Sequence, residues 1–260
     1  MYFSVITPEE SLLRQAAHEL AQTSYAEHQW LWKFFPSDKD QVRDFIFCRH
    51  EIEKIPRFYL VSQRQPKAFG EAWQLQSRIY DPQFQAGQLL SFQLHANPVI
   101  ERRGDPVLDA TGLPKKRETG KRAGEIKHKV IRHDVVMQAK KQLLAEHGFS
   151  KEAKWADWKD EISKPLLYEL VQKHCAEWLG SVAERNGFEI AQSDNGLSRI
   201  QIDSYEQEKA SKRNHDIRFS TVDFSGELRV TNPELFQQAI FNGIGHAKAF
   251  GCGLLLVRRI

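Results

Sequence analysis

Residues 216–258 read DIRFSTVDFSGELRVTNPELFQQAIFNGIGHAKAFGCGLLLVR, and this stretch decides the fold. Its first part, Asp216–Phe224, and the following Glu227–Val230 are rich in residues that favour strands. The intervening Ser225-Gly226 is typical of a two-residue turn, so the pattern predicts a hairpin.

A helix and a strand are predicted after this hairpin. Asn232-Pro233-Glu234 pairs an N-cap residue with proline at the first helical position, and the helix should run to about Phe241. Leu254–Arg258 then predicts a closing strand. With a strand at Arg199–Tyr205 and an amphipathic helix at Pro165–Glu184 before it, the second half follows the ferredoxin-like order of strand, helix, hairpin, helix and strand.

The first half shows the same kind of alternation. Tyr2–Ile6 predicts a strand, Thr7-Pro8-Glu9-Glu10 predicts the start of a helix, and Ser24-x-x-Glu27 predicts its restart before Pro36 ends it. Four further strand-like stretches follow at Asp44–Cys48, Arg57–Ser62, Gln74–Tyr80 and Leu89–Ala96. We therefore predict an α+β protein with two tandem ferredoxin-like (RRM-like) domains and antiparallel sheets.

The predicted domain boundary lies near residue 100, between an N-terminal domain at 1–100 and a C-terminal domain at 101–260. From Asn97 to about His133 the chain is rich in Pro, Gly, Lys and Arg, which predicts a long functional loop or a linker. A helix at Asp134–Glu146 follows it, within an inserted segment of the second domain.

Composition limits the class of protein. The 260 residues are 41% hydrophobic and 27% charged, enough for a sizeable core. No apolar run reaches about 18 residues and no signal region is present, so we expect no membrane span, no secretion and a cytoplasmic location. Cys48, Cys175 and Cys252 are far apart without a C-x-x-C pair, which predicts reduced thiols rather than a zinc site.

Charge is unevenly distributed along the chain. The net charge is +3, and Lys and Arg exceed Asp and Glu only after residue 100. Positive clusters attract polyanions, nucleic acid first, although a charge run can equally be solvated surface. The candidate RNA-binding residues are Lys115, Lys116, Arg117, Lys121, Arg122, Lys127, Lys129 and Arg132, with a second patch at Lys209, Lys212, Arg213 and Arg218.

The turn near the C-terminus has the pattern G-Φ-G-x5-G-Φ-G, where Φ is apolar, formed by Gly243, Gly245, Gly251 and Gly253. Glycine permits positive φ and close approach of another backbone, so its N–H groups could cradle a phosphate. Tight packing of the loop against a helix is the alternative. Lys248, inside the loop, favours RNA contact.

These segments carry a resemblance to a known family. The stretch from Gly243 to Leu255 resembles the C-terminal glycine-rich signature of CRISPR repeat-cutting endoribonucleases, most closely those of the CasE type. Residues 25–36, YAEHQWLWKFFP, are similar to that type's Tyr-x-x-His-x-x-Leu-x-x-x-Phe-Pro stretch, followed in both by Arg43-Asp44-Phe45. Leu94–Val99 is a third match, whereas the segment from about Ala123 to Lys164 is longer than in compact members.

The resemblance assigns strand cleavage to His28. An imidazole can take or give a proton at neutral pH, and RNA supplies its own nucleophile in the 2′-hydroxyl. Tyr25 lies three residues earlier, on the same helical face, and could orient the phosphate. Lys33 could stabilise charge on the phosphate. From the residues alone, the pattern favours an amphipathic face packed on a sheet for Tyr25 and His28, and solvated surface for Lys33.

The activity implied is cleavage of CRISPR repeat RNA at the 3′ base of its stem-loop, without metal or cofactor, leaving a 2′,3′-cyclic phosphate. No H-E-x-x-H or H-x-H spacing predicts a metal site. The implied partners are the repeat stem-loop and the other Cascade subunits. A non-catalytic hairpin-binding subunit and a general single-strand RNA-binding module remain as alternatives.

Overall fold

The computed structural model describes residues 1–20, 24–36, 42–119, 122–212 and 215–260. The chain forms two compact units. The main unit comprises residues 1–98 and 171–260, and the inserted unit comprises residues 99–170.

The first sheet of the main unit has four antiparallel strands in the order β2-β3-β1-β4. The strands are β1 (Tyr2–Pro8), β2 (Phe45–Ile52), β3 (Ile55–Ser62) and β4 (Trp73–Ile79). Helices α1 (Leu13–Glu19) and α2 (Ser24–Leu31) lie between β1 and β2, with 3₁₀ turns at Glu10–Leu12 and Trp32–Phe34. This is the ferredoxin-like strand order, although the β3–β4 connection, residues 63–72, contains no helix.

Aromatic side chains fill the core of this sheet. Trp30 and Phe34 come from the helical segment and meet Phe58 and Trp73 of the strands, and all four are at most 3% exposed. The ring centroids of Trp30 and Trp73 are 4.5 Å apart. This packing holds α2 on the sheet, because each buried aromatic side chain removes a large apolar surface from water.

The second sheet runs β11-β5-β10-β8, and β9 also pairs with β10. Its strands are β5 (Leu89–Ala96), β8 (Phe188–Ile190), β9 (Ile200–Lys212), β10 (His215–Val230) and β11 (Leu255–Arg259), with helices α4 (Leu167–Arg185) and α5 (Pro233–Asn242). The succession β5, α4, β9–β10, α5, β11 repeats the ferredoxin-like order. The predicted α+β fold with two tandem ferredoxin-like sheets is confirmed.

The hairpin predicted at Ser225-Gly226 is wrong. Strand β10 continues without a break from His215 to Val230, and its hairpin partner is β9. A Cβ on Gly226 would lie 2.2 Å from the carbonyl oxygen of Arg199. This glycine therefore permits a close approach of the neighbouring backbone within a central strand, rather than a turn.

The start of the first helix and the division between the two sheets lie at other residues than the sequence predicted. Strand β1 extends to Pro8 and helix α1 begins at Leu13, so Thr7-Pro8 does not start the helix. Strand β5 pairs with β10 and β11, so the two sheets divide between Ile79 and Leu89 rather than near residue 100. Strand patterns mark a strand without identifying its partner, which is why its sheet could not be predicted locally.

The inserted unit is built around a two-stranded arm where the sequence predicted a long loop or linker. Strand β6 (Val99–Pro106) pairs antiparallel with β7 (His128–Asp134). Helix α3 (Val135–Glu146) follows, and its predicted start is confirmed because the Asp134 carboxylate accepts a hydrogen bond from the N–H of Met137. A 3₁₀ turn at Trp155–Asp157 precedes α4.

None of the helices in the described segments combines the length and the apolar character needed to span a bilayer.

Candidate active site

His28 lies on helix α2 and is half-buried among aromatic rings. Its ring centroid is 6.2 Å from that of Trp32, 5.8 Å from that of Phe45 and 6.4 Å from that of Phe47. Phe45 and Phe47 belong to β2, so the imidazole lies where the helix meets the first sheet. Packing on three sides restricts the orientation of the ring, which a positioned acid or base requires.

The residue before His28 is a buried carboxylate. Glu27 is 6% exposed and forms an ion pair with Arg49 of β2. Burial raises the pKa of Glu27, although the Arg49 guanidinium opposes this shift. The pair ties α2 to the sheet beside His28, because a buried carboxylate without a counter-charge is costly.

The other two predicted catalytic residues occupy the same segment. Tyr25 belongs to α2, but its side chain lies outside the described part of the structure. Lys33 is exposed, and its Nζ is 5.3 Å from the centroid of the Phe69 ring. The structure thus places Lys33 on an aromatic face, and its predicted role in stabilising phosphate charge stays a prediction.

The glycine-rich loop folds back on itself. All four predicted loop glycines have positive φ, at 71° for Gly243, 73° for Gly245, 82° for Gly251 and 92° for Gly253. The N–H of Ile244 donates to the carbonyl of Gly253 over 2.7 Å. A Cβ on Gly253 would lie 2.4 Å from the Ile244 carbonyl oxygen, so close backbone packing accounts for glycine there.

The same loop packs against the helix that carries His28. Its 3₁₀ turn, Lys248–Phe250, contacts both α2 and β2. A Cβ on Gly251 would lie 3.4 Å from the Phe47 ring, the same ring that neighbours His28. Residues more than 200 positions apart in the chain therefore share one surface.

Two half-buried cations at this surface, Lys248 and Arg43, are close enough for the charge of one to affect the other. Burial, and next the neighbouring charge of Arg43, lower the pKa of Lys248. Burial also lowers the pKa of Arg43. Within the described ranges neither cation has a carboxylate partner, since Asp44 pairs instead with Arg64 at 2.6 Å. Neighbouring cations that have no counter-ion among the described residues suit an anion such as a phosphate.

Arg43 belongs to the Arg43-Asp44-Phe45 motif, but no local pattern predicts a role for it. An arginine two residues before a strand is an ordinary feature. Its significance comes from Lys248, which the fold brings alongside.

The second basic patch lies on the β9–β10 hairpin, and β9 packs against α2. Lys209 is directly opposite Arg218 in the antiparallel register, and both are exposed. Like charges directly opposite each other destabilise a sheet unless an anion compensates them. The side chain of Lys212 and the whole of Arg213 lie outside the described residues.

The predicted RNA-binding cations of the inserted unit lie along its arm. Lys115, Arg122 and Arg132 pair with Glu118, Glu125 and Glu101, respectively. Of the predicted RNA-binding residues in the described portion of the arm, those without an ion pair are Lys116, Arg117, Lys127 and Lys129. All of the basic arm residues that are described are exposed except Arg117, which is half-buried, and Lys121 lies outside the description.

The thiols and carboxylates form no metal-binding cluster where the structure describes them: no three His, Cys, Asp or Glu side chains converge in a way that could hold an ion. Cys48, Cys175 and Cys252 are all buried, and none forms a disulfide.

Comparison with known proteins places the whole chain in one family. The family model described as CRISPR associated protein matches residues 1–259. The CRISPR system Cascade subunit CasE of Escherichia coli (strain K12) is 26% identical over 234 residues, covering 89% of each chain.

Solved structures share the fold over the full length. A CRISPR endoribonuclease Cse3 bound to a 19-nucleotide RNA matches with a TM-score of 0.62 and 19% identity, covering 99% of this chain and 100% of that one. Thermus thermophilus Cse3, bound to an RNA representing a pre-cleavage complex, matches at 0.59 and 19%, covering 99% and 98%. Cas6e from Escherichia coli K-12 matches at 0.55 and 20%, with full coverage of both chains.

Proposed function

Since the chain belongs to the family of CRISPR-associated proteins, we propose that it is a metal-independent endoribonuclease that cuts CRISPR repeat RNA at the 3′ base of its stem-loop. The relative named CasE is a Cascade subunit, and the proposal includes retention of the cut RNA within a Cascade complex. The reaction takes place in the cytoplasm, where the repeat transcript is made.

The observation that carries this proposal is the contact between the glycine-rich loop and helix α2, which carries His28. Helix α2 presents an imidazole held by three aromatic rings, and the loop packed on that helix presents Lys248 beside Arg43. RNA supplies the nucleophile for its own cleavage, the 2′-hydroxyl. The protein therefore needs only a group that transfers protons and cations that stabilise the charge on the phosphate, and this surface offers both.

The chemistry needs one bond exchange at phosphorus. The ribose 2′-oxygen attacks the adjacent phosphate as it loses its proton, and the bond to the 5′-oxygen breaks as that oxygen gains a proton. The products are a 2′,3′-cyclic phosphate and a 5′-hydroxyl end. His28 moves one of the two protons, and Arg43 and Lys248 stabilise the negative charge that develops on the phosphate oxygens.

Binding of the stem-loop relies on backbone charge and shape. The deep major groove of A-form RNA hides the base edges, so most contacts go to phosphates. The Lys209–Arg218 pair and the basic residues of the β6–β7 arm supply the charge for those contacts. Binding should therefore weaken as salt is raised.

The test uses the repeat from a CRISPR array adjacent to the gene. We expect the full-length protein to cut it in EDTA, and His28→Ala to cut at least about 100-fold more slowly with similar RNA affinity. His18→Ala is the matched control, because His18 is an exposed histidine on the neighbouring helix α1. An alanine variant at His28 that cuts as fast as the parent would overturn the catalytic assignment.

A second substrate tests the nucleophile. Replacing the 2′-hydroxyl at the cleavage site by hydrogen should abolish cutting and spare binding. Cleavage of this deoxy substrate would refute the mechanism, and failure of the parent protein to cut any repeat would favour a binding subunit without catalysis.

A further inference from the structure

A second cluster of ionisable side chains lies in the main unit, apart from His28. His95 of β5 and Asp223 of β10 are paired across the two strands, and their Nδ1 and Oδ1 atoms are 2.6 Å apart. The other carboxylate oxygen of Asp223 accepts a hydrogen bond of 2.7 Å from Ser204 of β9. The three side chains form one row across three adjacent strands.

This row is attached to the glycine-rich loop at two points. The carbonyl of His95 accepts a 2.7 Å hydrogen bond from the N–H of Gly253. The thiol of Cys252 also lies close enough to the imidazole of His95 to influence its protonation. The preceding residue, Leu94, pairs with Leu255 of β11. The contacts of His95 with Gly253 and Cys252 therefore extend the β5–β11 pairing into the glycine-rich loop.

The histidine in this row carries a charge. Burial opposes protonation, but the hydrogen bond to Asp223, together with the neighbouring Cys252, outweighs burial and raises the pKa of His95 to about 10. The same interaction lowers the pKa of Asp223 despite its partial burial. The ionisable or polar groups that face the pair are Ser204 of β9, His50 and Cys48 of β2, Cys252 of the loop and, beyond Cys252, Glu208 of β9.

The loop held in this way is the one that reaches the candidate active site. Its turn at Lys248–Phe250 contacts α2, and Phe250 packs on Phe219 of β10 with ring centroids 4.8 Å apart. Release of Gly253 and Cys252 from His95 would loosen the connection between that turn and the closing strand β11.

We propose that His95 and Asp223 are positioning residues for RNA cleavage, whose ion pair fixes the glycine-rich loop and thereby holds Lys248 against the helix that carries His28. The inference rests on the proposed endoribonuclease function. Neither residue touches the RNA. Their effect is on the geometry in which the phosphate is held, and small displacements of such a group can cost much of the rate.

The decisive variant is Asp223→Asn, which keeps an acceptor for the imidazole N–H and removes the negative charge. The His95 proton should then be lost within the working pH range. We expect the single-turnover rate of Asp223→Asn, divided by that of the parent, to fall by about ten-fold between pH 6 and pH 9, because His95 loses its charge over that interval. The affinity for RNA should change much less, since many phosphates contribute to it.

The matched control is Asp203→Asn. Asp203 is an exposed aspartate on the same sheet and accepts a hydrogen bond from Ser225 at 3.1 Å, and no histidine of the described segments pairs with it. The single-turnover rate of Asp203→Asn, divided by that of the parent, should stay constant across the same pH range. Parallel pH profiles for Asp223→Asn and Asp203→Asn would overturn the proposal.

Hydrogen exchange gives a readout that does not depend on activity. In Asp223→Asn, peptides covering residues 243–253 should exchange faster than in the parent, whereas Asp203→Asn should leave them unchanged. Unchanged exchange in Asp223→Asn would also overturn the proposal. If the parent fails to cut RNA, the proposed function is refuted instead, and this measurement still decides whether the pair holds the loop.

His95→Gln covers the case in which Asp223→Asn does not fold. Because glutamine carries no charge at any pH, the His95→Gln variant should already cleave about ten-fold more slowly than the parent at pH 6. Its rate relative to the parent should not decline further up to pH 9. A rate at pH 6 equal to that of the parent would refute the positioning role.

Discussion

Replacing Arg49 by Gln should destabilise the protein mainly by leaving Glu27 buried without its counter-charge. Removing one partner of a fully buried ion pair costs about 3–5 kcal/mol. Here the Glu27 side chain is 9% exposed but that of Arg49 is 33% exposed, so water already screens part of the interaction. We therefore expect Arg49→Gln to lower the free energy of unfolding at pH 7 by about 2–3 kcal/mol.

The dependence on pH has a definite sign. Burial already raises the pKa of Glu27 in the folded protein, and loss of Arg49 raises it further. A carboxyl whose folded pKa exceeds its unfolded value contributes stability that is complete below the unfolded value and is lost as the pH rises through the folded value. The cost of Arg49→Gln should therefore shrink as the pH falls from 7 to 5.

The double variant Glu27→Gln/Arg49→Gln separates charge burial from packing. Because it leaves no uncompensated charge, it should be less destabilised than Arg49→Gln alone, by about 1–2 kcal/mol. Urea unfolding of the parent, both single variants and the double variant at pH 7 and pH 5 measures all these terms. The reasoning would be refuted if the double variant lost as much free energy of unfolding as the two single variants added together. It would also be refuted if Arg49→Gln cost the same at pH 7 and pH 5.

Two further predictions concern the glycines and the loop cation. Gly226→Ala should lower the free energy of unfolding by at least about 2 kcal/mol, because its Cβ would meet the Arg199 carbonyl at 2.2 Å. Gly180→Ala, in helix α4 with nothing within 4 Å, should instead raise it by about 0.5–1 kcal/mol; thermal unfolding that ranks the two the other way would contradict this. Lys248→Gln should reduce the slope of log affinity for repeat RNA against log salt by about 0.7–0.9, as expected for one lost phosphate contact. Lys54→Gln, at an exposed turn of the first sheet, is its control, and equal slopes for both variants would exclude Lys248 from the RNA interface.

Local patterns predicted much of this fold because they act over a few residues. Asn232-Pro233 marked the start of α5, and the Asn232 side chain does accept a hydrogen bond from the N–H of Leu235. The strands of the first half were located within a few residues, apart from the extension of β2 to Ile52. The β6–β7 arm was missed, because its strands are polar and exposed and show little apolar alternation.

The sequence by itself determined the α+β class, the elements flanking the glycine-rich loop, and the resemblance that singled out His28. These depend on caps, apolar periodicity and short motifs, which are properties of neighbouring residues. Only the tertiary structure decided that β5 joins the second sheet, that Arg43 lies beside Lys248, and that His95 meets Asp223, a residue 128 positions away. Strand pairing and burial bring such residues together, and no local pattern encodes which distant strand will be the partner.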